Sequence, residues 1–159
     1  MEVINVSIFN ADKIFNQIVD CIENTTRTKV SEHVKCVQQD VIWDKWYNTY
    51  EPKSYSRRYN NKGLSDKDNM VTRVLRKGDN INFTLDNITK TNPYTKKGNN
   101  YEPIYSSLEG DDFLIPLMKD TKLRPKNNNV DIIKETENEI SISQIMDIIK
   151  NDLDKIKFD

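Results

Sequence analysis

The sequence predicts an α+β fold: an N-terminal helix or helix pair, a small antiparallel sheet that includes a hairpin, long loops and a C-terminal helix. Three observations carry this. Aliphatic residues recur at helical spacing over residues 14–41 and again over 145–156. A strict apolar–polar alternation runs through "INFTLD" beside a Gly-Asp-Asn turn. The stretches between are crowded with Asn, Lys, Pro and Gly.

The N-terminal helix begins near Asn10, with Asn10 or Asp12 as its cap. Ile14, Ile18 and Ile22 follow at i, i+4, i+8, and Phe15 and Val19 widen the stripe. "ENTTRTK" interrupts the apolar pattern before a second stripe at Val30, Val34, Val37 and Val41, which leaves open one long bent helix or two short ones. The pattern runs into "VIWDKWYNTYEP". Pro52 disfavours the α region at Glu51, so the helix stops near Tyr50.

Residues 50–69 then read as a long polar loop. The clearest element follows: "MVTRVLRK" and "INFTLDNI" flank Gly78-Asp79-Asn80 as the two arms of a hairpin. Residues 89–112 form a second long loop, of a length that usually serves a function or a partner. An apolar patch, "FLIPLM", is broken by Pro116 and followed by a polar run. The last element is a helix capped by Ser141 or Ser143, with Ile145, Ile148, Ile149, Leu153 and Ile156 on one face; Ser141 and Gln144 have capping-box spacing.

At 159 residues the chain fits a single domain, 1–159, in which hydrophobic residues make up only 36% and charged ones 31%. The core is therefore thin, and much of the chain belongs to loops or interfaces. The 24 basic and 25 acidic residues nearly cancel, so there is no global electrostatic attraction to nucleic acid or membrane, and any basic site is local. No stretch reaches the length of a bilayer span, and the start lacks the form of a secretory leader, which points to the cytosol or to an assembly formed there. Cys21 and Cys36 stand too far apart along one helical segment to pair, and read as buried free thiols.

The sequence offers little catalytic chemistry. His33 is the only histidine and has no nucleophile placed beside it by any motif. Cys21, His33 and Cys36 lack the paired spacing of a zinc site. Asp66-Asp68 and Asp111-Asp112 lack the spaced oxygens of a calcium loop and read as solvated turns. With four glycines in the chain, a phosphate-cradling loop has little to be built from. The expectation is a non-enzyme with no cofactor and no metal.

One segment stands out. Trp43, Trp46, Tyr47, Tyr50, Tyr55 and Tyr59 are interleaved with Lys45, Lys53, Arg57, Arg58 and Lys62. Such a mixture stacks bases and tracks phosphates, which makes a nucleic-acid-binding module of residues 43–62 one reading. The same residue types are enriched at the centres of protein interfaces, and the aromatics of a final helical turn also close cores.

The stretch "VIWDKWYNTYEPKSYSRRYNNKGLSDKDNM" resembles minor virion proteins of tailed phages. It shares with them a helix ending in an aromatic turn, then Tyr50-x-Pro52-x-x-Tyr55-x-Arg57-Arg58, a Gly63-Leu64-x-Asp66 step with Asn69 in trail, and a hairpin. The resemblance implies a tail-completion, neck or head-tail joining protein, assembled as a ring in the virion between the capsid connector (portal) and the tail-tube or tail-terminator proteins, with DNA a candidate occupant of the ring lumen and no membrane partner. It departs from the pattern before the last helix, where many such proteins carry Pro-Arg-Pro-aromatic and this chain has only Leu123-Arg124-Pro125, with Lys126 next. A ring subunit needs two different surfaces and often an arm across its neighbour, and the loops at 50–69 and 89–112 suit that role. The interface residues this reading selects are Trp46, Tyr50, Tyr55, Arg57, Arg58, Tyr59, Leu64 and Asp66. The arginines are suited to a neighbour's carboxylates as planar bidentate donors. Both loops are too poor in aliphatic residues to order themselves unaided, so they are expected to be mobile in a free subunit.

Overall fold

A computed structural model describes residues 8–49, 63–89 and 130–157, with side chains from Ala11 onward. The fold class is α+β, as the sequence predicts: a long N-terminal helix, a two-stranded antiparallel hairpin and C-terminal helices.

The N-terminal helical run is continuous. Helix α1 (Ile8–Thr25) passes through a π turn (Thr26–Val30) into α2 (Ser31–Val41), then through a second π turn (Ile42–Trp46) and a 3₁₀ turn (Tyr47–Thr49). The helix starts before Asn10 and Asp12, so neither caps it. The polar interruption "ENTTRTK" is the first π turn rather than a break: Thr25 keeps helical dihedrals of φ −62° and ψ −38°. Hydroxyls make this possible. Thr26 Oγ1 donates to the Ile22 carbonyl at 2.7 Å, Thr28 Oγ1 to that of Asn24 at 2.8 Å, and Ser31 Oγ to that of Thr26 at 2.8 Å. Side-chain bonds of this kind satisfy carbonyls where the backbone ladder widens from i−4 to i−5.

The hairpin pairs β1 (Met70–Lys77) with β2 (Asn80–Asn87). Gly78 adopts φ 60°, the left-handed region that a two-residue turn between twisted strands requires. Asn80, assigned by the sequence pattern to the turn, is the first residue of β2. Beyond the last pair, the Ile88 N–H still donates to the Asn69 carbonyl at 2.7 Å, which extends the same register.

The C-terminal part holds two helices. Helix α3 (Ile132–Glu139), which the periodicity does not reveal, is capped by Asp131, whose carboxylate accepts from the Lys134 N–H at 3.0 Å. Helix α4 (Ile142–Leu153) begins at Ser141, which accepts from the Gln144 N–H at 3.4 Å, as the capping-box spacing predicts.

These elements form two compact units. The first comprises the chain up to His33, the hairpin's turn end from Thr72 to Thr84, and the chain from Ser141 onward. In it, α4 lies along α1 and the first π turn, and Arg76 of β1 pairs with Asp20 of α1 at 2.8 Å. Among the described residues its buried side chains are few and half of them are polar: Val19, Thr25, Thr26, Val30, Ser31 and Val74. The second unit comprises residues 34–71 and 85–140. It contains the main apolar cluster of Val41, Ile42, Trp46, Tyr47, Leu64, Met70 and Ile132, with Trp43, Leu85 and Ile133 against it. The thin core expected from composition takes this form, and the better packed part surrounds the aromatic turn.

Candidate functional site

The segment singled out by the sequence leaves the described chain at Thr49 and returns at Gly63. Both ends are fixed in the second unit's core. On the departing side, the second π turn and the 3₁₀ turn put Ile42, Trp46 and Tyr47 inside, at 0%, 8% and 8% exposure. Trp43 meets Tyr47 edge to face, with ring centroids 5.3 Å apart and an interplanar angle of 87°, a favoured aromatic geometry. Thr49 Oγ1 closes the last turn on the Trp46 carbonyl at 2.9 Å.

On the returning side, side chains hold the backbone carbonyls one by one. The Gly63 carbonyl faces three donors: the Asp66 N–H at 3.1 Å, Asn69 Nδ2 at 2.9 Å and Thr89 Oγ1 at 3.1 Å. The Leu64 carbonyl accepts from Asn87 Nδ2 at 2.9 Å, and the fully buried Ser65 accepts at its carbonyl from Gln39 Nε2 at 2.7 Å. Asp66 accepts the Asp68 N–H at 3.0 Å and so caps the 3₁₀ turn Lys67–Asn69. A turn whose carbonyls are satisfied by Asn, Gln and Thr side chains can be buried without the cost of unpaired polar groups. Residues 63–69, which the sequence pattern assigns to an extended loop, are thus a tight turn tied to α2 and to the hairpin's open end.

Of the eight residues selected for an interface, Trp46 and Leu64 lie in the unit's own core and Asp66 serves as a cap. Tyr50, Tyr55, Arg57, Arg58 and Tyr59 lie outside the described residues, as does nearly all of the 89–112 loop. What sequence reasoning misses is the clamp itself. Asn69 is visible as the trailing residue of the Gly-Leu-x-Asp step. Gln39, Asn87 and Thr89 come from other elements, with no spacing to connect them to it.

A second polar cluster joins α4 to α1. Asp152 accepts from Lys29 at 2.5 Å and Lys155 at 2.8 Å on one oxygen, and from the buried Thr25 at 3.0 Å on the other. The hydrogen bonds from Lys155 and Lys29 hold its carboxyl well below the usual carboxylate range, and Lys155 is raised in return by its bond to Asp152. Two ammonium groups on one carboxylate, with a hydroxyl completing the set, make a structural tether. The sequence hides it because Thr25 and Lys29 sit within the stretch that interrupts the apolar stripe.

Little else has the form of reaction chemistry. No group of three or more metal-binding side chains occurs among the described residues. Cys21 and Cys36 form no disulfide and are half-buried rather than buried, and Lys67 Nζ lies 2.9 Å from Cys36 Sγ. The Nε2 of His33 is buried and has no hydrogen-bond partner among the described residues. Among those residues no helix is long and apolar enough to cross a membrane.

No curated protein and no solved structure matches the chain. A protein-family model does, over residues 10–155, which takes in both units, the clamp and both C-terminal helices. That family bears the name of a phage-derived gene, which makes the protein phage-associated in the coarse sense the sequence resemblance implies. By a match that runs over nearly its whole length, the chain belongs to the YomN family.

Proposed function

We propose that the protein is a non-enzymatic structural component of a tailed-phage virion, forming a ring at the neck or tail terminus between connector and tail. Its contacts there are copies of itself, the portal or connector, and tail-tube or tail-terminator proteins. The observation that carries this reading is the double anchoring of residues 50–62. Thirteen residues rich in tyrosine and arginine leave and re-enter the chain at points fixed in one core. A segment held at both ends can present those side chains to a neighbour while the rest of the subunit stays folded, as heterologous ring contacts require. The phage association of the family agrees with it.

A nucleic-acid role for residues 43–62 is the competing reading, and it is weakened at its aromatic end. Trp46 and Tyr47 are committed to the core at 8% exposure each and have no face free for a base. The experiment that separates the two is Arg57→Ala with Arg58→Ala in one chain. The ring reading expects an unchanged circular dichroism spectrum, with assembly weakened by a few kcal/mol, as for desolvated charge pairs left unmatched. A salt-dependent DNA affinity lost in the variant, with assembly intact, would transfer the function to nucleic acid.

A further inference from the structure

Helix α4 carries more apolar surface than the described residues of its unit cover. The Asp152 tether sets its rotation, because the side of α4 bearing Asp152 faces Thr25 and Lys29 of the N-terminal helical run. At about 100° per residue, Ile145 and Ile148 share that side with Asp152. Ile142, Met146, Ile149 and Leu153 fall on a separate stripe, roughly 100° round the helix from it. Along that stripe Ile142 is 74% exposed and Met146 64%, Ile149 and Leu153 are half-buried, and no residue of α4 is buried at all. Scattered exposed apolar residues are ordinary on protein surfaces; two a turn apart, continuing a stripe of two more, are not.

We infer that this stripe pairs with the same stripe of a second copy, the two α4 helices lying antiparallel about a two-fold axis. The spacing argues for that occupant. The steps along the stripe, from Ile142 to Met146, Ile149 and Leu153, run four, three and four residues, an order that reads the same in both directions. A copy reversed about the point midway between Asp147 and Ile148 therefore sets Ile142 against Leu153 and Met146 against Ile149, each contact occurring twice. Ile148 itself belongs to the covered side of the helix and takes no part in the stripe.

The charges agree with the pairing. Lys150 borders the stripe on the side away from α1, and Asp147 stands further round on that same flank; both are exposed. In the reversed copy the lysine of one chain comes within two residues of the level of the other's aspartate, about 3 Å along the axis; Asp147 stands about 130° round from the centre of the stripe, so the lysine has to reach it across the flank of the partner helix. The two-fold axis makes that opposite-charge contact twice, as flanking charges do in paired helices. Such a contact is isologous and closes at two copies, whereas the heterologous contacts proposed above run on to a ring. It is independent of that reading. One short helix on another falls below the roughly 800 Å² per partner of a standard stable interface, so the pairing is reversible and depends on concentration.

Sedimentation velocity of the full chain over a concentration series tests it. The wild type should shift reversibly from monomer toward dimer, and Met146→Glu should remain monomeric with an unchanged circular dichroism spectrum. Asp147→Lys alone should weaken the dimer, and Asp147→Lys with Lys150→Asp should restore it, which a general loss of apolar surface would not do. A wild type that stays monomeric throughout, a Met146→Glu chain that associates like wild type, or a double charge reversal that fails to recover the dimer would each overturn the pairing. A ring that forms in wild type and survives Met146→Glu, with no dimer seen, would overturn it while leaving the ring reading intact.

Discussion

Asp152 shows how one side chain can set the position of a helix. Two ammonium groups and a buried threonine hydroxyl converge on it, and its acidity shifts accordingly. Its pKa in the folded state lies below the ordinary 3.8, so its stabilisation is fully present above that value and is lost as pH falls through the lowered one. Lys155, raised above its ordinary 10.5, contributes stability fully present below that value and lost as pH rises through the raised one. Asp152→Asn should therefore melt below wild type at neutral pH, and the gap should close in acid, beginning near pH ~4. Thermal melts from about pH 7 to about pH 2 check this; a gap that is constant with pH would assign the tether's strength to packing instead. At this scale the sequence is only partly legible. Gly63, Leu64, Asp66 and Asn69 stand out by their spacing, and spacing marks a sharp turn without saying what holds it. Asn87 and Thr89 hold it from the far end of the hairpin, and Thr25 and Asp152 meet across 127 residues.

At the scale of elements, legibility follows the strength of the local signal. The hairpin is plain because the alternation Ile81, Phe83, Leu85 and the glycine of its turn agree with each other. Helix α3 is not, because eight residues with two adjacent isoleucines give too little periodicity to separate from a loop. The N-terminal run is ambiguous for a physical reason. Each π turn admits an extra residue and shifts the apolar stripe, so a continuous helix reads in the sequence as two. The hairpin turn offers a clean test. A Cβ at Gly78 would meet nothing within 4 Å, and so the cost of Gly78→Ala is that of the left-handed backbone alone. The expected loss is about 1–2 kcal/mol in denaturant melts. A neutral substitution would show that the turn relaxes to another conformation.

Across the whole molecule, the features that bear on function lie where the local signals are weakest. The better packed apolar cluster surrounds the two ends of residues 50–62, while α4 in the other unit leaves Ile142 and Met146 exposed. Both features suit a subunit that completes its buried surface in an assembly, and the phage association of its family gives that assembly a setting. The fold class follows from composition and periodicity. The ring, the partners and the place in the virion rest on the resemblance and on the anchored segment, because an interface with another chain leaves no intramolecular periodicity to read. That the protein is a structural part of the particle is tested by mass spectrometry of purified phage particles from a host carrying this gene. Peptides of this chain should be found in the particles at several copies each. Presence of the chain in the lysate with absence from intact particles would rule out a structural role.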